Sequence, residues 1–136
     1  MSKKSKKVKL FYSILIIIII TSSITIAISN RKTNFDKFVE QYERSIAKIM
    51  KSIDIDNIKE TLLTKENDKI MSHLKEELEE IQDYVPEKRK SEYLYMRMKY
   101  SNLEKTMNIV KDWDNIETFQ QMQMITDLIS QQVMYE

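Results

Sequence analysis

The chain has 136 residues, with 22 Lys plus Arg against 21 Asp plus Glu, one His, one Pro and neither Gly nor Cys. Gly supplies the positive φ of tight turns and phosphate-cradling loops, so its absence disfavours hairpin-rich β folds, P-loops and dinucleotide folds. The lack of Cys removes disulfides, thiolate ligands, thiol nucleophiles and lipidated cysteine.

Charge is unevenly spread. Residues 1–29 hold five Lys and no acid, which leaves 17 basic against 21 acidic side chains in residues 30–136, a formal −4. A mildly acidic body is a poor nucleic-acid binder, because phosphate backbones are held by clustered Lys and Arg.

After a basic tail at 1–9, the run LFYSILIIIIITSSITIAI at 10–28 is nineteen residues without a charge. As a helix it extends about 28 Å, close to the hydrocarbon thickness of a bilayer. Its Ser and Thr hydroxyls can return to backbone carbonyls one turn back. Five Lys before it and only Arg31 and Lys32 just after it put the N-terminus on the cytoplasmic side and the rest outside. The predicted feature is a transmembrane signal anchor. The alternative is a signal peptide cut after Ser29, where Ala27-Ile28-Ser29 provides small residues around the site.

A linker at 29–34 follows, with Thr33 or Asn34 as the expected cap of the next helix. Apolar residues at Phe35, Phe38, Val39, Tyr42, Ile46, Ile49, Met50 and Ile53 then make one helical stripe. Residues 52–56 read as a turn, with Asp56 placed to cap a second helix. That helix carries Ile58, Leu62, Leu63, Ile70, Met71, Leu74, Leu78, Ile81 and Val85, and is interrupted by the polar segment 64–68. Either the helix breaks there and restarts with Thr64 as cap, or it continues with Asn67 fixing register at a buried seam; a solvated break is the preferred reading. Pro86 ends the segment. Tyr93, Met96, Tyr100, Leu103, Met107 and Val110 are spaced 3-4-3-4-3, a heptad seam suited to bundle packing, and Trp113 closes it. Asp114 and Glu117 suggest a capping box for a last helix. Its expected stripe is Phe119, Met122, Ile125, Leu128 or Ile129, and Gln132 or Val133. The fold class that follows is all-α: an N-terminal transmembrane helix and an antiparallel bundle of three or four helices over 35–136.

Little in this sequence points to chemistry. His73 is the single imidazole, which rules out a two-His metal site, and no Gly-x-Ser-x-Gly elbow supports a triad. The carboxylates of 76–80 read as a solvated helix face, and Asp54-Ile55-Asp56 lacks the Gly and distal Glu of a calcium loop. Met96 with Met98, and Met122 with Met124, are thioether pairs, but i and i+2 side chains on a helix diverge too far to share a copper ion. Met96, Met107 and Met122 fall on core stripes. Lys88-Arg89-Lys90 reads as a solvated bend rather than a lipid contact.

The expected function is therefore non-enzymatic, with no catalytic residue, cofactor or metal. It is that of a protein-interaction module displayed outside the membrane, alone or within an envelope complex. Its expected partners are the lipid bilayer and another protein or a second copy. Tyr95, Met98, Trp113 and Tyr135 are the candidate interaction surface. The alternatives are a secreted helical effector and a ligand-sensing ectodomain without an output domain of its own.

Overall fold

The computed structural model describes the backbone of residues 3–136 and the side chains at 14, 16–21 and 34–136. It is all-α, with no strand among the described residues. Five α-helices follow one another: α1 (Lys3–Ser52), α2 (Ile58–Leu62), α3 (Lys65–Ile81), α4 (Lys90–Val110) and α5 (Thr118–Val133). Single 3-10 turns stand at Ile55–Asn57, Gln82–Tyr84, Glu87–Arg89 and Trp113–Asn115. The chain divides into two compact units, Met1–Asp36 and Lys37–Glu136.

In the first unit the backbone is helical from Lys3. Ile14 and Ile16 through Ile20 are all exposed, and the Thr21 hydroxyl donates to the carbonyls of Ile17 and Ile18, both at 3.0 Å. Among the described residues no helix is long and apolar enough to cross a membrane. Most side chains of the predicted span at 10–28 lie outside the described residues. The cap expected at Thr33 or Asn34 is not made, because α1 continues through both. Neither Gly nor Pro interrupts 29–34, and Ser, Thr and Asn alone are weak stop signals inside a helix.

The second unit is a helical bundle. Side-chain bonds fix its sense: α1 pairs with α3 through Gln41–Glu77 and Lys48–Glu66, so position rises along one helix as it falls along the other. The Tyr93 hydroxyl near the start of α4 donates to Leu78 O near the end of α3 at 2.7 Å. Lys99 of α4 reaches Tyr135 just past the end of α5, and Gln132 of α5 reaches Met50 and Ile53 at the end of α1. Sequential neighbours are thus antiparallel, an up-down-up-down order.

The six-residue seam of α4 is buried throughout, as its spacing predicts. So is the α1 stripe from Phe38 to Ile53, with Val39 half-buried; Phe35, in the first unit, is buried as well. Tyr42, fully buried, donates its hydroxyl to Met96 O at 2.7 Å. Burial, reinforced by the nearby Glu43 carboxylate, pushes its phenol far up, so it serves as a neutral donor.

The polar segment at 64–68 does break the second helical stretch, and Thr64 caps α3 by accepting from Asn67 N at 3.1 Å. Lys65, Glu66 and Asp68 are exposed, as a solvated break requires, but the residue between them is not. Asn67 is only 2% exposed, and its amide reaches Ser52 Oγ, Thr61 O and Leu62 O at 3.3, 3.2 and 2.9 Å. One side chain therefore satisfies the open carbonyls at the end of α2 while its backbone is held by the cap of α3. Asp54, not Asp56, makes the preceding cap, accepting from Asp56 N and from the Asn57 amide, both at 3.0 Å. Those two bonds, the Asn57 one foremost, hold its carboxyl below the usual range.

Two expectations for α5 are corrected. The capping box does not form: the helix starts at Thr118 with Glu117 at the cap position making no side-chain bond, and Asp114 turns instead to Lys59 at 2.9 Å. The inward face is the predicted stripe only in part, at Ile125, Leu128 and Gln132. Leu128 is buried, but Phe119, Met122, Ile129 and Val133 are exposed, while Gln121, Met124, Ile125 and Gln132 are half-buried.

Replacing Asn67 by Ala should cost about 2–3 kcal/mol, because buried carbonyls lose their donor. Urea unfolding of the chain checks this. A loss below about 0.5 kcal/mol would show that the capping bonds carry little weight.

Candidate functional site

Of the four residues singled out on the sequence, two are brought together by a fifth that was not. Lys99, on α4 one turn after Tyr95, lies with its ammonium 5.5 Å from the Tyr95 ring centre and 5.1 Å from that of Tyr135. It donates to the Tyr135 hydroxyl at 2.5 Å and lies 3.7 Å from the Glu43 carboxylate of α1. Cations over aromatic faces gain most when partly desolvated, as Lys99 is. The cluster ties the C-terminal residues to α4 and α1.

Its electrostatics hold the charged, hydrogen-bonded form of a clasp. Burial works to lower the Lys99 pKa, but the Tyr135 hydrogen bond and the Glu43 charge outweigh it and hold the ammonium above its usual range. Burial raises the Tyr135 phenol despite the opposing pull of Lys99. A nucleophilic lysine needs the opposite shift, so this cluster offers neither an amine nucleophile nor a phenolate base.

Met98 is exposed on α4, three residues beyond the exposed Tyr95, and the two share one side of that helix. Trp113 does not join them. It is half-buried in the turn after α4 and lines a cleft of about 330 Å³ with Ile58, Glu60 and the Lys59–Asp114 ion pair. Between α3 and α4 run two further clefts of about 210 and 370 Å³, which share Lys75, Tyr100 and Glu104. Tyr100 is pushed up to about 12, by burial first and then by the Glu104 charge. Mixed-charge grooves of this kind lack the apolar lining typical of small-molecule sites.

The glutamates of 76–80 are not equivalent. Glu77 turns inward, where its Oε1 accepts from the Gln41 amide at 2.7 Å and lies 3.3 Å from His73 Nε2. Its Oε2 is buried without a hydrogen-bond partner. Burial raises the Glu77 pKa, with His73 opposing and Glu80 adding to the rise. Sequence pattern missed this residue because four glutamates in five positions carry no signal for which one faces the α1 neighbour.

No group of three or more His, Cys, Asp or Glu that could hold a metal ion exists among the described residues. The methionine pairs divide as helix geometry requires, with Met96 buried and Met98 exposed. Met122, expected in the core, is exposed. The basic turn is internally compensated: Arg89 makes a two-pronged bond to Glu92 at 2.6 and 2.9 Å, and Lys90 pairs with Glu87. No protein-family model, no curated protein and no solved structure matches this chain.

A raised carboxyl pKa means that the folded state holds the Glu77 proton more tightly than the unfolded state. Its contribution to stability is present below the unfolded carboxylate pKa, about 4.3, and is lost as pH rises through the higher folded value. Glu77→Gln should therefore raise the melting temperature at pH 7 by about 1–3 °C and leave it unchanged near pH 4. Thermal melts of both chains at the two pH values check this. An equal shift at both would remove the ionisation argument.

Proposed function

We propose that the chain is a non-enzymatic, single-pass membrane protein that holds its helical bundle outside the membrane as an interaction module, alone or as a subunit of an envelope complex. The observation that carries this reading is the uncharged run at 10–28 with five Lys on one side of it. The exposure of six isoleucines between Ile14 and Ile20 supports it, since a helix apolar on every face needs a nonaqueous environment. Among the described residues the bundle adds the Lys99 clasp and clefts lined by mixed charges.

A second reading has its own support in Ala27-Ile28-Ser29, a small-x-small arrangement that fits release of a secreted helical protein after Ser29. Carbonate extraction of membranes and protease treatment of intact cells separate the two. The anchored reading predicts an uncut chain that stays with the membrane and loses residues 30–136 to external protease. Carbonate-soluble protein, or a body protected from protease in intact cells, would contradict it. A mature chain starting at Asn30 in the medium would establish release instead.

A further inference from the structure

Helix α5 carries its better apolar face away from its own bundle. Phe119, Met122, Thr126, Ile129 and Val133 follow one another at spacings of 3-4-3-4, the a and d pattern of a coiled-coil seam. Phe119 is 70% exposed, Met122 and Val133 63%, and Ile129 45%, whereas Leu128 on the opposite side is 1% exposed. Toward the bundle the same helix offers two glutamines that bond backbone carbonyls, Gln121 to Trp113 O and Gln132 to Met50 O and Ile53 O. The exposed stripe is therefore not needed to hold α5 in place.

Charge says what can cover it. In a chain that is 32% charged, the sixteen residues of α5 contain a single charged side chain, Asp127. Depletion of charge at an exposed apolar strip marks the centre of protein interfaces. A bilayer surface is a poor match, because interfacial helices flank their apolar face with Lys and Arg, and no basic residue follows Lys111. Gln123 and Ser130 border the seam, at positions that in coiled coils choose a different partner through complementary charge. Neutral borders bring no like-charge repulsion when two identical copies pair. Thr126, central in the stripe, already spends its hydroxyl on Met122 O at 2.8 Å, so covering it leaves no unsatisfied donor.

We infer that this face of α5 is a self-association surface that pairs with α5 of a second copy of the chain about a two-fold axis. This rests on the interaction-module reading proposed above and names its partner. Phe119, Met122, Ile129 and Val133 are 45–70% exposed; at about 100 Å² of free apolar surface each, a pair covers roughly 800 Å² in total, the size of a weak interface rather than a permanent one. The pairing is thus weak between free copies, and confinement of both copies in one membrane favours it.

The native chain has no Cys, so a single introduced thiol reports one position. With the two-fold axis crossing the middle of the stripe, Thr126 lies opposite its mate whether the helices run parallel or antiparallel. Full-length chain in mild detergent is oxidised as Thr126→Cys and, for comparison, as Glu76→Cys on α3. The inference predicts at least tenfold more disulfide-linked dimer from Thr126→Cys, and loss of that dimer on adding Met122→Glu and Ile129→Glu. Both added changes lie at exposed positions, and circular dichroism verifies that the fold is kept. Equal cross-linking at the two sites, or cross-linking that survives the glutamates, would overturn it. So would a monomer whose Thr126→Cys thiol becomes shielded only when lipid vesicles or another purified protein are added, which would assign the face to that occupant. Carbonate extraction of the same chain reads the membrane anchor separately, so failure of one leaves the other standing.

Discussion

The absence of glycine governs how this fold is built. Helices most often end by placing Gly in a left-handed conformation that redirects the chain and satisfies the last open carbonyls. Here the described residues include none with positive φ, so those carbonyls must find donors elsewhere. Some are met by local backbone N–H groups, such as Leu63 N to Lys59 O and Ile53 N to Met50 O, and others by side chains of neighbouring helices. Gln132 of α5 closes the end of α1, Asn67 of α3 closes α2, and Tyr93 of α4 closes the last turn of α3. Ser52 contributes locally by donating to Ile49 O at 2.7 Å.

Local and tertiary structure are consequently coupled. A glycine cap works within one helix, but a cap supplied by another helix exists only while the two are packed. The burial of the α4 seam and the closure of three helix ends are then one event, and the bundle gains uniqueness from buried polar bonds that an apolar core alone does not confer. The Lys99 clasp extends the same logic to the C-terminal residues, which are otherwise the part of a chain most prone to fray.

The sequence made some of this legible and not the rest, for physical reasons. The α4 seam could be read in full because every apolar residue at its 3-4 spacing has bundle on that side. In α5 the expected stripe mixed two faces, with Ile125, Leu128 and Gln132 inward and Phe119 and Met122 exposed: periodicity reveals that a face is apolar, but not whether it meets its own domain or another surface. The deciding signals were the inward glutamine donors and the loss of charge along the helix. Asn67 looked like part of a solvated break because it is one of five consecutive polar residues at 64–68, and only the packing of Ser52 and α2 around its amide makes it buried. Tyr95 and Tyr135 were identifiable as surface aromatics, yet the lysine between them was not, since its meaning depends on Glu43 from a helix more than fifty residues away.

Gln132 offers the most direct test of long-range capping, because it sits half-buried on the outermost helix and would ordinarily tolerate substitution. Gln132→Met keeps the length of the side chain and removes its donor. Urea unfolding of the full chain in mild detergent should show a loss of about 1–2 kcal/mol, with Gln120→Met on the exposed side changing stability by less than about 0.5 kcal/mol. Equal and small effects at the two positions would contradict the account, since the end of α1 would then be stable without its distant cap.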